Sequence, residues 1–375
     1  MIKAIIVILV LGALILAHEF GHFIMGRLAG VRVLEFSFGM GPRLGGVRKN
    51  GTEYTLRALP FGGYVRFLSR EEMAARRAEA EEAAAEAEDG AAGYEAPGWA
   101  EEEAEEYPES ECMESKGFWQ KVSIYVAGPF MNLFLGALIF ILAYAIFGVT
   151  APSDENVVGA VVQDMPAQTA GLEPGDRVVA VNGAPTADWE AMTREIRAGN
   201  QGELILSVEK TDGRTELLTL TPVLDESGSH LIIGVTSQIT QKKVSVSQAV
   251  HYGLLRTWEF TKLLLQYIVD MFAGREKVDL GGPVAIAGII SEGAEAGATT
   301  LLPIMAILSL QFGVLNLLPI PALDGGQLTV LIFERIRGRE LSPEKKGIIQ
   351  LTGFALLLAL MIAVTYSDIL RLFGN

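Results

Sequence analysis

Four stretches of this chain are apolar almost without interruption: residues 2–25, 122–149, 301–323 and 348–364. A bilayer-spanning helix needs about 20 such residues. The first three stretches meet that length, and the fourth meets it once Thr365 and Tyr366 carry it into the interface. Residues 246–275 follow another pattern. Val250, Leu254, Trp258, Leu265, Ile268 and Phe272 make one helical stripe, broken by Arg256, Glu259, Lys262 and Asp270. That predicts an amphipathic helix lying at an interface rather than a fifth span. Residues 31–68 are rich in Val, Phe, Tyr and Gly, and Asn50-Gly51 marks a hairpin turn, so a small β-sheet is predicted there. In residues 155–238, Gly175-Asp176 and Asn182-Gly183 flank a β run at 178–181, and further strands read from 204–208 and 217–220. The expected fold is a polytopic α-helical membrane protein: four transmembrane helices, a membrane-associated β-sheet and one inserted soluble α+β module. Its segments are 1–68 (first span and sheet), 69–116 (an acidic insert), 117–150 (second span), 155–238 (the module), 246–275 (the interfacial helix) and 299–375 (third and fourth spans).

Composition agrees with a membrane protein. Half of the 375 residues are hydrophobic, 20% are charged and mean hydropathy is +0.33. This excludes a chain disordered throughout and argues against an ordinary soluble enzyme. The net charge of −15 disfavours nucleic acid as a partner. Residues 71–111 alone hold 16 acids against Arg76 and Arg77, so the acidity is local. Within that insert, 71–88 suits a solvated helix and 89–115 a disordered stretch, serving as a solvating segment or as a regulatory contact. The single Cys112 excludes an internal disulfide framework and a multi-cysteine zinc site. Lys and Arg crowd the segments after the first and third spans. The positive-inside rule therefore puts both in the cytoplasm, with the N-terminus, the 150–300 region and the C-terminus outside.

The first apolar stretch has a second reading. Lys3 followed by residues 4–17 is also the pattern of a secretory signal peptide. Against it, the apolar run resumes through Phe20, Phe23, Ile24 and Met25, and cleavage near Ala17 would detach His18-Glu19-Phe20-Gly21-His22 from its helix. On a helix, His18 and His22 share a face and can converge on one ion, while Glu19 can take a proton from a water there. The alternative is a pair of polar residues packed in a bundle, but His and Glu at membrane depth are costly and mark function. A catalytic zinc site usually needs a third protein ligand. His230 and His251, the other histidines, lie outside the predicted bundle. Asp324 ends the third apolar run behind Pro319 and Pro321 and ahead of Gly325 and Gly326. Broken backbone of this kind turns a carboxylate inward, or else Asp324 only stops a helix at the interface.

These residues, with Asn316 through Gly326, Gly128-Pro129-Phe130-Met131-Asn132 and Pro60-Phe61-Gly62-Gly63-Tyr64-Val65, resemble the site-2 protease family. The resemblance is to the bacterial group that includes the regulator of sigma-E protease, and it covers nearly the whole chain. It implies an intramembrane metalloprotease with Zn²⁺ held by His18, His22 and Asp324, Glu19 as general base, and Asn316 and Asn132 assisting at the site. It also implies single-span membrane proteins in the lipid bilayer as substrates, such as an anti-sigma factor or a signal-peptide remnant. Residues 164–183 are similar to the middle of a bacterial PDZ domain, which binds a peptide by strand addition or acts only as a steric filter. There is room for one such domain where some relatives carry two, and the acidic insert has no counterpart. Gly62-Gly63-Tyr64-Val65 is the candidate clamp on an extended substrate, since a helix offers no accessible peptide bond. The alternative is a hairpin that only plugs the bundle. Two other classes remain open on these residues: a membrane scaffold with a structural metal, and a transporter using His, Glu and Asp as a relay.

Overall fold

The computed structural model describes residues 2–75, 78, 107–199, 202–225, 228, 230–275 and 281–373. The chain divides into a helical unit, residues 1–143 with 250–375, and a second unit, residues 144–249.

The helical unit opens with α1 (Ile2–Leu28), a run of Leu, Ile and Val without proline. It stops at Gly30, whose φ of 73° continues no right-handed helix. Two long antiparallel strands follow, β1 (Val33–Lys49) and β2 (Thr52–Phe67), joined by Asn50-Gly51 with both residues at positive φ. β1 pairs twice: Phe36 opposes Tyr54 on one side and Val65 on the other. Its first half is therefore central, and residues 63–67 of β2 form an edge with no further strand beyond it among the described residues.

Further long helices among the described residues are α2 (Phe118–Phe147), α3 (Val246–Phe272), α4 (Pro283–Ala296), α5 (Ala298–Asn316), α6 (Asp324–Arg337) and α7 (Pro343–Phe373). Among the described residues, four segments are long and apolar enough to cross a membrane: Ile2–Leu28, Phe118–Phe147, Ala298–Asn316 and Pro343–Arg371. These correspond to the four apolar runs of the sequence, and α3 is not among them. Val7, Val10 and Leu14 of α1 bury against Ile290 of α4 and Leu308 of α5. Backbones approach where side chains are missing: a Cβ on Gly21 would lie 2.3 Å from the Ala127 carbonyl oxygen, and one on Gly136 3.0 Å from that of Ala306. Small residues at such crossings are the usual means of packing helices in lipid.

Three expectations need correction. The third apolar run is not one span to residue 323. Its helix ends at Asn316, an irregular turn with Ala322 at φ 77° follows, and Asp324 opens a new helix instead of ending the old one. α4 was not expected either. Its N-terminus is capped from afar by Asp368 of α7, which accepts from Gly282 N at 3.1 Å and Ala285 N at 3.0 Å. The expected disorder over 89–115 fails for its last part. Tyr107 and Cys112 bury against Leu34 and Leu68, and Glu111 pairs with Arg32 at 2.8 Å. Residues 79–106, the most acidic part, lie outside the described residues.

The second unit has its own core. Val158, Val178, Met192, Leu206, Leu220 and Ile233 are buried together. A four-stranded sheet runs in the order Ala184–Pro185, Arg177–Val181, Leu204–Glu209, Thr215–Leu220. The helix Trp189–Ala198 starts at Asp188, whose Oδ1 accepts from Ala191 N at 2.7 Å. The unit's two ends are tied as antiparallel strands, Val149–Pro152 with Ile239–Lys242.

Candidate active site

One helical turn on α1 sets His18 and His22 on a common face, with their Nε2 atoms 3.1 Å apart. The start of α6 brings in Asp324, with Oδ2 3.0 Å from His18 Nε2 and Oδ1 3.4 Å from His22 Nε2. The side chains of the three are 12%, 10% and 19% exposed. The Ile124 carbonyl of α2 accepts a hydrogen bond from His22 Nδ1 at 2.8 Å. The proton of His22 is thereby held on Nδ1, and the Nε2 lone pair faces the other two groups. Asp324 Oδ2 is buried without a hydrogen-bond partner.

Two imidazole nitrogens and an unpartnered carboxylate oxygen, all facing one another, call for a cation between them. Separations of 3.0, 3.1 and 3.4 Å compare with a tetrahedral edge of about 3.4 Å for N and O ligands around zinc. By donor type and spacing the trio fits Zn²⁺, and among the described residues it is the one group of His, Cys, Asp and Glu that does so. His230 lies in a loop of the second unit and His251 on α3, and neither joins it.

Glycines make this closeness possible. A Cβ on Gly128 would stand 2.2 Å from His22 Nε2 and 2.8 Å from His18 Cε1. Beyond α5, a Cβ on Gly325 would meet the Leu317 carbonyl oxygen at 2.2 Å, and one on Gly326 that of Ile320 at 2.2 Å. The turn 317–323 thus folds down onto the first residues of α6 and aims Asp324 at α1.

One turn beyond Gly128, Asn132 is 1% exposed. Its Nδ2 lies 3.3 Å from His18 Nδ1, and its Oδ1 is buried without a partner. Its backbone carbonyl accepts from Ser309 Oγ of α5 at 2.8 Å. Asn316 is half-buried at the last turn of α5. Sequence reasoning singled out Asn132 but missed Gly128's contact, Ile124 and Ser309, whose roles depend on which helix faces which.

Glu19 faces the sheet. The Val65 backbone hydrogen-bonds its carboxylate, and a Cβ on Gly63 would lie 3.1 Å from Glu19 Cγ. The edge segment 63–67 therefore runs beside Glu19. Gly62, at φ 90°, packs on Met40 instead. Tyr64 turns toward Glu35, which is 4% exposed and accepts from Thr55 Oγ1 and Arg57 Nη2, each at 2.7 Å. Burial raises the pKa of Glu35, but the hydrogen bonds from Thr55, Arg57 and Tyr64 outweigh it and hold the carboxyl below its ordinary range. This network fastens the edge strand to the strands behind it.

The profile of peptidase family M50 matches residues 6–360. A Clostridium acetobutylicum protein with a provisional zinc metalloprotease name is 34% identical over 97% of this chain and 96% of its own length. The regulator of sigma-W protease RasP of Bacillus subtilis is 31% identical over 98% of each chain. A solved PDZ domain of an SdrC-like protein from Listeria monocytogenes matches 24% of this chain and 93% of its own, at 21% identity and a TM-score of 0.21. With the profile running almost end to end, the chain belongs to peptidase family M50.

Proposed function

We propose that this M50 peptidase binds Zn²⁺ through His18, His22 and Asp324, uses Glu19 as general base, and cleaves the transmembrane segments of single-span proteins. The observation that carries the reading is the convergence of two imidazole nitrogens and an unpartnered carboxylate oxygen within 3.4 Å, on apolar helices and next to a glutamate. Zinc held there supplies Lewis acidity toward the scissile carbonyl and a water of lowered pKa. Glu19 takes a proton from the attacking water and returns it to the leaving amine. Residues 63–67 offer a free strand edge beside Glu19, so a substrate unwound from its helix regains backbone hydrogen bonds there. We assign Asn316, half-buried in the last turn of α5, to holding substrate backbone or a developing oxyanion.

Asn132 is too deeply buried for substrate. Were His18 to hold zinc through Nε2, its Nδ1 would carry the proton. The Asn132 amide then turns its Oδ1 to accept from Nδ1, fixing the ring as outer partners of metal-bound histidines do.

The chain resides in the inner membrane. Its Lys and Arg distribution favours N- and C-termini outside, residues 150–300 outside, and a site opening toward the cytoplasm. The 144–249 unit is read as PDZ-like from residues 164–183, with a peptide tail as its ligand or a blocking role toward bulky substrates.

The test is cleavage of a synthetic transmembrane peptide, with zinc measured on the same sample. Glu19→Gln should abolish cleavage and keep zinc, while Asp324→Ala should lose both. Full zinc occupancy in the Asp324 variant would remove it from the ligand set.

A further inference from the structure

A groove of about 540 Å³ opens between the C-terminal half of α6 and the first turns of α7. The two helices are joined by the loop 338–342, and further along α7 Gly353 packs on Pro321 of the turn that precedes α6, a Cβ there lying 2.3 Å from the Pro321 carbonyl oxygen. The groove lies between these two points. Val330, Phe333, Leu341 and Ile349 line it, and two cations, Arg337 and Lys345, stand along it, both exposed.

Neither cation has an acidic partner among the described residues. Glu334, one turn before Arg337, is already engaged by Lys346 at 2.9 Å and by the Leu341 N–H at 2.6 Å. Lys345 sits in the first turn of α7, at the positive end of the helix dipole, where Glu344 is the one acid and where the N–H groups of Lys345 and Lys346 are taken up by the Ser342 carbonyl. The apolar run begins at Ile348, three residues on, so the charge stands at the headgroup level and the groove leads from there along apolar side chains.

We propose that this groove binds an anionic phospholipid, its phosphate against Arg337 and Lys345, and an acyl chain along Val330, Phe333 and Ile349. One molecule meets both demands of the site, an anion at the rim and hydrocarbon below it, and basic pockets between membrane helices hold headgroups in this way. The site is separate from the chemistry, yet α6 begins with Asp324. A lipid wedged between α6 and α7 braces the helix that delivers that carboxylate.

The experiment is native mass spectrometry of the purified full chain in neutral detergent, titrated with phosphatidylglycerol or phosphatidylcholine of the same acyl length. Phosphatidylglycerol should bind the tighter of the two. Arg337→Gln with Lys345→Gln should weaken it about fivefold per cation and leave phosphatidylcholine unchanged. Val330→Trp, which fills the groove, should weaken phosphatidylglycerol with both cations still present. Arg194→Gln with Arg197→Gln, in the second unit, should change nothing, and bound zinc reports that each variant is folded. Unaltered phosphatidylglycerol binding by the Arg337/Lys345 variant would overturn the proposal. An equal loss in the Arg194/Arg197 control would also overturn it, as general charge attraction. Displacement by millimolar inorganic phosphate would mean a free-anion site and not a lipid site.

Discussion

The core of the 144–249 unit is assembled from near neighbours: Val158, Val178, Met192, Leu206 and Leu220 close on one another within a single stretch of chain. The site in the helical unit is assembled from strangers. His18 meets Asn132 from 114 positions away, and Asp324 arrives from the far end. The first region rests on area buried, which tolerates small changes of shape. The second rests on a few backbone-to-ring approaches, where one methyl group already collides. Stability and function are thus vulnerable to different substitutions, and variants can separate the two.

The largest effect should come from Gly128→Ala. Its methyl would occupy a point 2.2 Å from His22 Nε2, so zinc binding and peptide cleavage should both collapse while the 144–249 unit keeps its own melting transition. Retained zinc at full stoichiometry would show that the imidazoles have room to retreat.

Asn132→Leu should come next, lowering zinc affinity about 10- to 100-fold as lost outer partners do. Asn132→Asp, which keeps an acceptor for His18 Nδ1, should restore it. Chelator competition on the purified protein reads both. Equal affinity in the Leu variant would return Asn132 to a packing role.

Glu35→Gln should act on the edge strand and leave the metal alone. Amide exchange of residues 63–67 should quicken about five- to tenfold, the loss of one or two charge-assisted hydrogen bonds. Because the carboxyl is held below its ordinary range, its contribution is present above the unfolded value of about 4.3 and is lost as pH falls through the folded value. The difference between variant and parent should therefore disappear in acid.

The smallest effect should follow from removing residues 157–238. The paired strands at 149–152 and 239–242 remain to close the gap. Zinc binding and cleavage of a short peptide should persist, while a substrate with a folded outer domain should be cut faster. Loss of short-peptide cleavage with zinc intact would make the unit a required docking site.

Much of this organisation was legible in the sequence. Long apolar runs announce spanning helices because a bilayer imposes a minimum length, and Asn50-Gly51, Asn182-Gly183 and His18…His22 encode their geometry within a few residues. What escaped depends on distant contact. α4 looks like an unremarkable Ala- and Gly-rich stretch, and its cap comes from Asp368, 86 positions away from Gly282. Residues 107–116 have the composition of a tail, yet Tyr107 and Cys112 find Leu34 and Leu68. From its own segment Asp324 reads either as turned inward or as a helix stop, because two prolines signal only a break. That a helix restarts on the carboxylate itself follows from Gly325 and Gly326 fitting beneath the turn. The partnership of Asn132 with His18 has no local signature.

The ladder between Val149–Pro152 and Ile239–Lys242 has a further consequence, in chain entropy. Bringing α2 and α3 together across a floppy insertion would cost more as the insertion lengthens, by about 0.6 kcal/mol for each doubling. Here the folded unit closes that loop itself and hands both ends back side by side. To the helices it is a short link whatever its length, so segments can be added or removed beyond the ladder without lengthening the search by which the membrane helices find one another.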